Sequence, residues 1–132
     1  MSPPPAGVGA ITLFVEDPKR SKAFYERVFD LATIYEDDDA AAFKFENTIV
    51  NLLALPAARD LIAPGTVAGS EAGSSFQLTI WVDDADGVCA ELEARGVTLL
   101  NGPVDRPWGL RTASFTDPDG HIWEVASELT KS

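Results

Sequence analysis

Two acidic junctions, Val15-Glu16-Asp17 and Val82-Asp83-Asp84, stand 67 residues apart (82 − 15 = 67) and divide the chain into two similar blocks. Each closes a run of alternating apolar residues and opens a stretch with helical spacing. After each helix come three further strand-like runs. A block of strand, helix and three strands cannot bury its own sheet well, so the repeat demands that two such blocks be built together. The expected fold class is α+β: two tandem βαβββ modules, module one at 8–55 and module two at 76–128, joined by a linker at 56–75.

In the first block a strand is expected over 9–16, with Ile11, Leu13 and Val15 on one side and Ala10, Thr12 and Phe14 on the other. Asp17 suits an N-cap and Pro18 the first helical position. Ser21, Phe24, Tyr25 and Val28 then share a helical face, and Asp30 ends the helix where glycine would be easier. Strands follow at 33–36, 42–46 and 48–55. Asp37-Asp38-Asp39 between them reads as a solvated turn, because it lacks the spaced ligands and glycine of a calcium loop. The linker is rich in Ala, Gly, Pro and Ser, with one helical turn expected around 59–62.

The second block repeats the plan. A strand is expected over 76–82 and a helix over 85–95, with Ala85, Val88, Cys89 and Leu92 as its apolar stripe and Gly96 as its stop. Cys89 is thereby a core residue. A strand at 97–100, a loop at 101–109 carrying two prolines and Trp108, and strands at 110–116 and 122–127 complete it. The last two strands are joined by Asp117-Pro118-Asp119-Gly120, in which Pro118 presets φ and Gly120 accepts φ > 0. Glu124 then sits inside an apolar strand, where a carboxylate is costly unless something pairs with it.

The run Asp117-Pro118-Asp119-Gly120-His121-Ile122-Trp123-Glu124, together with the duplicated blocks, resembles the vicinal-oxygen-chelate (VOC) superfamily of glyoxalase I, bleomycin-resistance proteins and extradiol dioxygenases. The resemblance covers nearly the whole chain as a single VOC domain, 1–132. It implies a curled mixed sheet around a cleft, with helices outside. It also implies four cleft positions, which in metal-dependent members carry the ligands. Here they are Ala10, Asn51, Gln77 and Glu124. Ala10 coordinates nothing, and the neutral amides of Asn51 and Gln77 are poor ligands for Zn²⁺, Fe²⁺ or Ni²⁺. Glu124 alone does not replace the three protein ligands usual for a catalytic metal. His121 lies three residues before Glu124, so strand alternation turns it to the opposite face. No metal and no cofactor is therefore expected, which weakens glyoxalase I, extradiol dioxygenase and fosfomycin resistance as specific assignments.

Alternation supplies the other ligand-binding candidates: Phe14 beside Ala10, Asn51 with Leu53, and Gln77 with Thr79 and Trp81, all on the side of Glu124 and its companions Ile122 and Ala126. Trp108, on a Pro/Gly loop, suits stacking on a ligand. Arg111 has two readings, as a partner for Glu124 or as a bidentate clamp for a substrate anion. Such an apolar, aromatic cleft with a few polar groups is the usual make-up of a small-molecule site.

Three functions follow. The first is a metal-free binder of a small, cationic and aromatic organic molecule, similar to the bleomycin-resistance proteins. The second is an enzyme of lyase, isomerase or dioxygenase type, with Glu124 as general base or metal ligand. The third is a structural module with a vestigial cleft. A formal net charge of −11 argues against nucleic-acid and anionic-membrane partners. No apolar run approaches the roughly 20 residues of a membrane helix. Met1-Ser2-Pro3-Pro4-Pro5 lacks the basic start and apolar core of a signal peptide, and Cys89 is the lone cysteine, so a cytoplasmic protein is expected. Open sheets leave strand edges exposed, so a homodimer is expected, its modules paired within a chain or swapped between chains.

Overall fold

The computed structural model describes residues 7–129; the terminal segment Met1 to Pro5, weighed above against a signal peptide, lies outside them. Two compact units divide between Gly69 and Ser70. The first contains β1 (Ala10–Val15), α1 (Pro18–Phe29), β2 (Thr33–Glu36), β3 (Ala40–Lys44), β4 (Ile49–Ala54) and α2 (Leu55–Ile62). The second contains a 3₁₀ turn (Ser70–Ala72), β5 (Gln77–Trp81), α3 (Ala85–Ala94), β6 (Leu99–Asp105), β7 (Leu110–Thr116) and β8 (Ile122–Glu128). Each unit has one four-stranded mixed sheet, ordered β1-β4-β3-β2 and β5-β8-β7-β6. The outer strands of the repeat, β1 with β4 and β5 with β8, pair in parallel, and the remaining pairs are antiparallel.

Local chemistry explains the helices. The Asp17 carboxylate accepts from the backbone N–H of Lys19 at 3.1 Å and of Arg20 at 3.4 Å. Asp84 does the same for Gly87 at 3.2 Å. These bonds satisfy donors that the first helical turn leaves open. Asp30 ends α1 at φ 53°, the left-handed cap its position requires.

Each sheet buries one face under its long helix. In the first unit Leu13, Val15, Phe43, Val50 and Leu52 meet Phe24, Tyr25 and Val28 of α1, and all are buried. Tyr25 packs on Phe24 edge-on at 5.2 Å between centroids and on Phe43 at 5.9 Å. In the second, Ala113, Phe115, Trp123 and Val125 are buried with Ala85, Cys89 and Leu92 of α3. Cys89 is a core residue as expected, and burial raises its thiol pKa above the usual range. Each aromatic buried this way contributes about 1.5–3 kcal/mol of transfer free energy.

Two segments differ from the sequence reading. The linker does not stop at one helical turn: α2 runs over eight residues from Leu55. Pro56 falls in its first turn, where the missing N–H has no partner to lose, and Ala58 is fully buried beneath it. The loop expected at 101–109 is largely strand β6, in register with β7 from Leu99↔Phe115 to Asp105↔Arg111. Gly102-Pro103 reads as loop chemistry, but it forms an irregularity inside the strand. Gly102 has φ +82°, and a Cβ there would meet the Thr112 carbonyl oxygen at 2.3 Å. Only glycine lets β6 cross β7 this closely.

Candidate functional site

The face of each sheet turned away from its helix carries the polar side chains. In the second unit the register aligns Thr79 of β5, Glu124 of β8, Ser114 of β7 and Asn101 of β6 in one row. Trp81, Ala126, Thr112 and Val104 form the adjacent row. Gln77 and Ile122 pair on the other side of Glu124. The Thr79 hydroxyl donates to Glu124 Oε1 at 3.0 Å. No cation pairs with this carboxylate among the described residues.

Trp81 is 68% exposed and borders an open depression of about 470 Å³ lined also by Val82, Asp83, Ala126 and Glu128. Trp108 is 65% exposed at the tip of the β6–β7 turn. That turn is closed by the Arg106 N–H donating to the Leu110 carbonyl at 2.7 Å and the Gly109 N–H donating to Arg106 O at 3.1 Å. Since Leu110 pairs with Glu128 and Trp81 with Ala126, both indoles sit at the same end of this sheet.

The first unit carries the counterpart row: Thr12, Asn51, Ala42 and Tyr35. Here Asn51 Nδ2 donates to Thr12 Oγ1 at 3.2 Å. Phe14 lies beside Leu53 on the same face and is half-buried. Phe14 and Asn51 thus belong to one open face, and Gln77, Trp81, Trp108 and Glu124 to the other unit.

Arg111 is the correction among the site residues. It reaches neither Glu124 nor the open face. Its guanidinium donates to Asp86 of α3 at 2.9 and 3.0 Å and to Asp105 at 2.7 Å, on the helix side of the sheet. Bonds to Asp86, then Asp105, hold its pKa above the usual guanidinium range, and Arg111 in turn lowers that of Asp86. The reason is parity: Arg111 alternates with Thr112, and Thr112 is the one in the open-face row.

Sequence reasoning missed the cation that does reach this face, Arg106. Its Nε donates to Thr112 Oγ1 at 2.9 Å, and Nη2 approaches Asn101 Oδ1 at 3.5 Å. With 101–109 read as a loop, no parity could be assigned to it.

His121 points elsewhere. Its Nδ1 lies 2.8 Å from Asp117 Oδ2, while Asp117 Oδ1 accepts the N–H groups of Asp119 and His121. Burial pushes the imidazole pKa down. The Asp117 hydrogen bond and the charges of Asp117 and Asp119 outweigh it, so the pKa is raised above 6.5.

The metal that the fold family implies does not fit these residues. Ala10 has no donor atom, Asn51 offers only a neutral amide oxygen, and Glu124 has only Thr79 and neutral side chains in its row. Among the described residues no three His, Cys, Asp or Glu side chains gather to hold a metal ion.

Fold and faces define a twin-module α+β protein of βαβββ units with one aromatic, acid-bearing open face. The Glyoxalase/Bleomycin resistance protein/Dioxygenase superfamily profile matches residues 7–125, and the chain belongs to that superfamily. It is 31% identical over 123 residues to the uncharacterized protein YraH of Bacillus subtilis (strain 168), covering 90% of this chain and 96% of that one. A glyoxalase/bleomycin resistance protein/dioxygenase from Nocardioides has the same fold, with TM-score 0.88 at 21% identity over 99% of this chain and 89% of that one. The Listeria monocytogenes fosfomycin resistance protein FosX, crystallised with Mn(II) and a dihydroxypropylphosphonic acid, also shares the fold. Its TM-score is 0.69 at 18% identity, over 91% of this chain and 88% of that one.

Proposed function

We propose that this chain is a metal-free member of its superfamily that binds a small aromatic molecule bearing a cation or hydrogen-bond donor. The observation that carries the reading is Glu124. It is half-buried in an apolar strand, and its protein partner is a neutral hydroxyl rather than a cation. A carboxylate so placed gains most from a charged donor supplied by a ligand. The exposed Trp81, two residues along the neighbouring strand from Thr79, offers the stacking surface. A net charge of −11 favours encounter with cations.

The reading includes a homodimer, because the edge strand β2 exposes Ile34 and Tyr35, at 52% and 56%. A clean monomer in sedimentation at micromolar concentration would remove that element. A cytoplasmic setting accords with the single buried thiol, Cys89. No helix among the described residues is long and apolar enough to cross a membrane.

Two measurements test the function. Elemental analysis of protein purified without added metal is expected to find no stoichiometric Zn, Fe, Ni or Mn. Finding one that disappears in Glu124→Ala would replace this reading with a metal-dependent one. Tryptophan-fluorescence titration is expected to rank benzylamine above benzyl alcohol and benzoate, with the benzylamine advantage lost in Glu124→Gln. No advantage for the amine would sink the counter-charge role.

A further inference from the structure

We infer that the Arg106 guanidinium is an anion-recognition group on the same open face as Glu124, so that the ligand is amphoteric, carrying a carboxylate or similar planar anion as well as a donor. The inference rests on the reading of Glu124 above and specifies what lies at the other end of the molecule.

Arg106 is held, not loose. Its backbone closes the β6–β7 turn through Leu110 and Gly109. Its side chain is clamped by Thr112 at Nε and by Asn101 at Nη2. Both partners lie in the open-face rows, Asn101 in register with Ser114 and Thr112 with Ala126. Those partners are neutral, and among the described residues no carboxylate pairs with Arg106. The contrast with Arg111 is direct: Arg111 is neutralised by Asp86 and Asp105 on the helix side. Asp105, the sequence neighbour of Arg106, therefore directs its carboxylate to the opposite face. A guanidinium oriented by neutral acceptors keeps its charge, and its Nη1 donors with the second Nη2 N–H remain for a planar anion, which Arg recognises bidentately.

The spacing sets the size of the ligand. Glu124 lies opposite Ser114, and Thr112 is the next residue along β7 on the same face. Diagonal neighbours of this kind are about 7–8 Å apart. Glu124 and the Thr112 that holds Arg106 Nε are thus diagonal neighbours on one face, with Trp81 in the row that contains Thr112. The ligand class is an aromatic or similarly flat amino acid with its two charges at opposite ends.

The test compares para-(aminomethyl)benzoate with its methyl ester, which keeps the ammonium and lacks the carboxylate. On the unaltered protein the acid is expected to bind about tenfold or more tighter than the ester. Arg106→Gln is expected to bring the acid to within about twofold of the ester while leaving ester affinity within about twofold of its original value. Thermal unfolding checks that the variant is folded. If it is not, Arg106→Lys serves instead, with a several-fold loss confined to the acid expected. An ester that binds as well as the acid would overturn the role of Arg106 and leave that of Glu124 standing. Failure of the ester, the acid and benzylamine alike would overturn both.

Discussion

The two units share topology, register and capping, yet their open faces differ in charge. Asn51 pairs with Thr12 in the first unit where Glu124 pairs with Thr79 in the second. The first row continues through Ala42 and Tyr35, the second through Ser114 and Asn101, with Arg106 held against Asn101 and Thr112. The helix sides, by contrast, are built alike: Phe43 opposite Val50 answers Phe115 opposite Trp123. The packing is alike in the two units and the open faces differ, and the proposed binding site rests on that difference.

The widest test of the shared packing is also the largest effect. Phe43→Ala and Phe115→Ala each remove a fully buried ring, and each is expected to cost about 3–5 kcal/mol in denaturant unfolding. A cost under about 1 kcal/mol at either position would break the equivalence of the cores. Next comes the divergence itself. Glu124→Gln should weaken benzylamine binding by about 1.5–3 kcal/mol, whereas Asn51→Ala should leave it within about twofold. Equal losses would show that both faces share the binding.

The caps give a smaller contrast. Asp17→Ala and Asp84→Ala are each expected to destabilise by about 0.5–2 kcal/mol, with Asp17 the larger because it accepts from two N–H groups rather than one. The smallest effect is in pH dependence. The folded pKa of His121 is raised by Asp117, so its contribution is fully present below the unfolded value of 6.5 and fades as pH rises through the folded value. That contribution should be lost above the window, and His121→Asn should flatten the dependence. Unchanged pH dependence in that variant would assign the effect to other groups.

Much of this was legible in the sequence because the repeat is written in local signals. Asp17-Pro18, Asp30, Asp83-Asp84 and the Asp117–Gly120 turn each carry their own physical reason. Strand parity likewise placed Gln77, Thr79, Trp81 and Glu124 on one face. What failed was parity across an irregularity. The sequence Gly102-Pro103 looks like the end of a strand, and only the pairing of Asn101 with Ser114 and of Val104 with Thr112 shows that the strand continues past it. That slip hid Arg106 and left Arg111 as the candidate cation. The helix at Leu55–Ile62 was missed because Pro56 and the small residues around it read as linker, while its anchoring contact at Ala58 is tertiary.

The central claim is that binding belongs to the open face of the second unit. Amide and indole NMR shifts recorded during a benzylamine titration test it most directly. The largest changes are predicted at Thr79, the Trp81 indole N–H, Ser114, Glu124 and Ala126, with Thr12 and Asn51 changing little. Changes concentrated on Thr12 and Asn51, or on the helix-side residues Asp86 and Arg111, would contradict it.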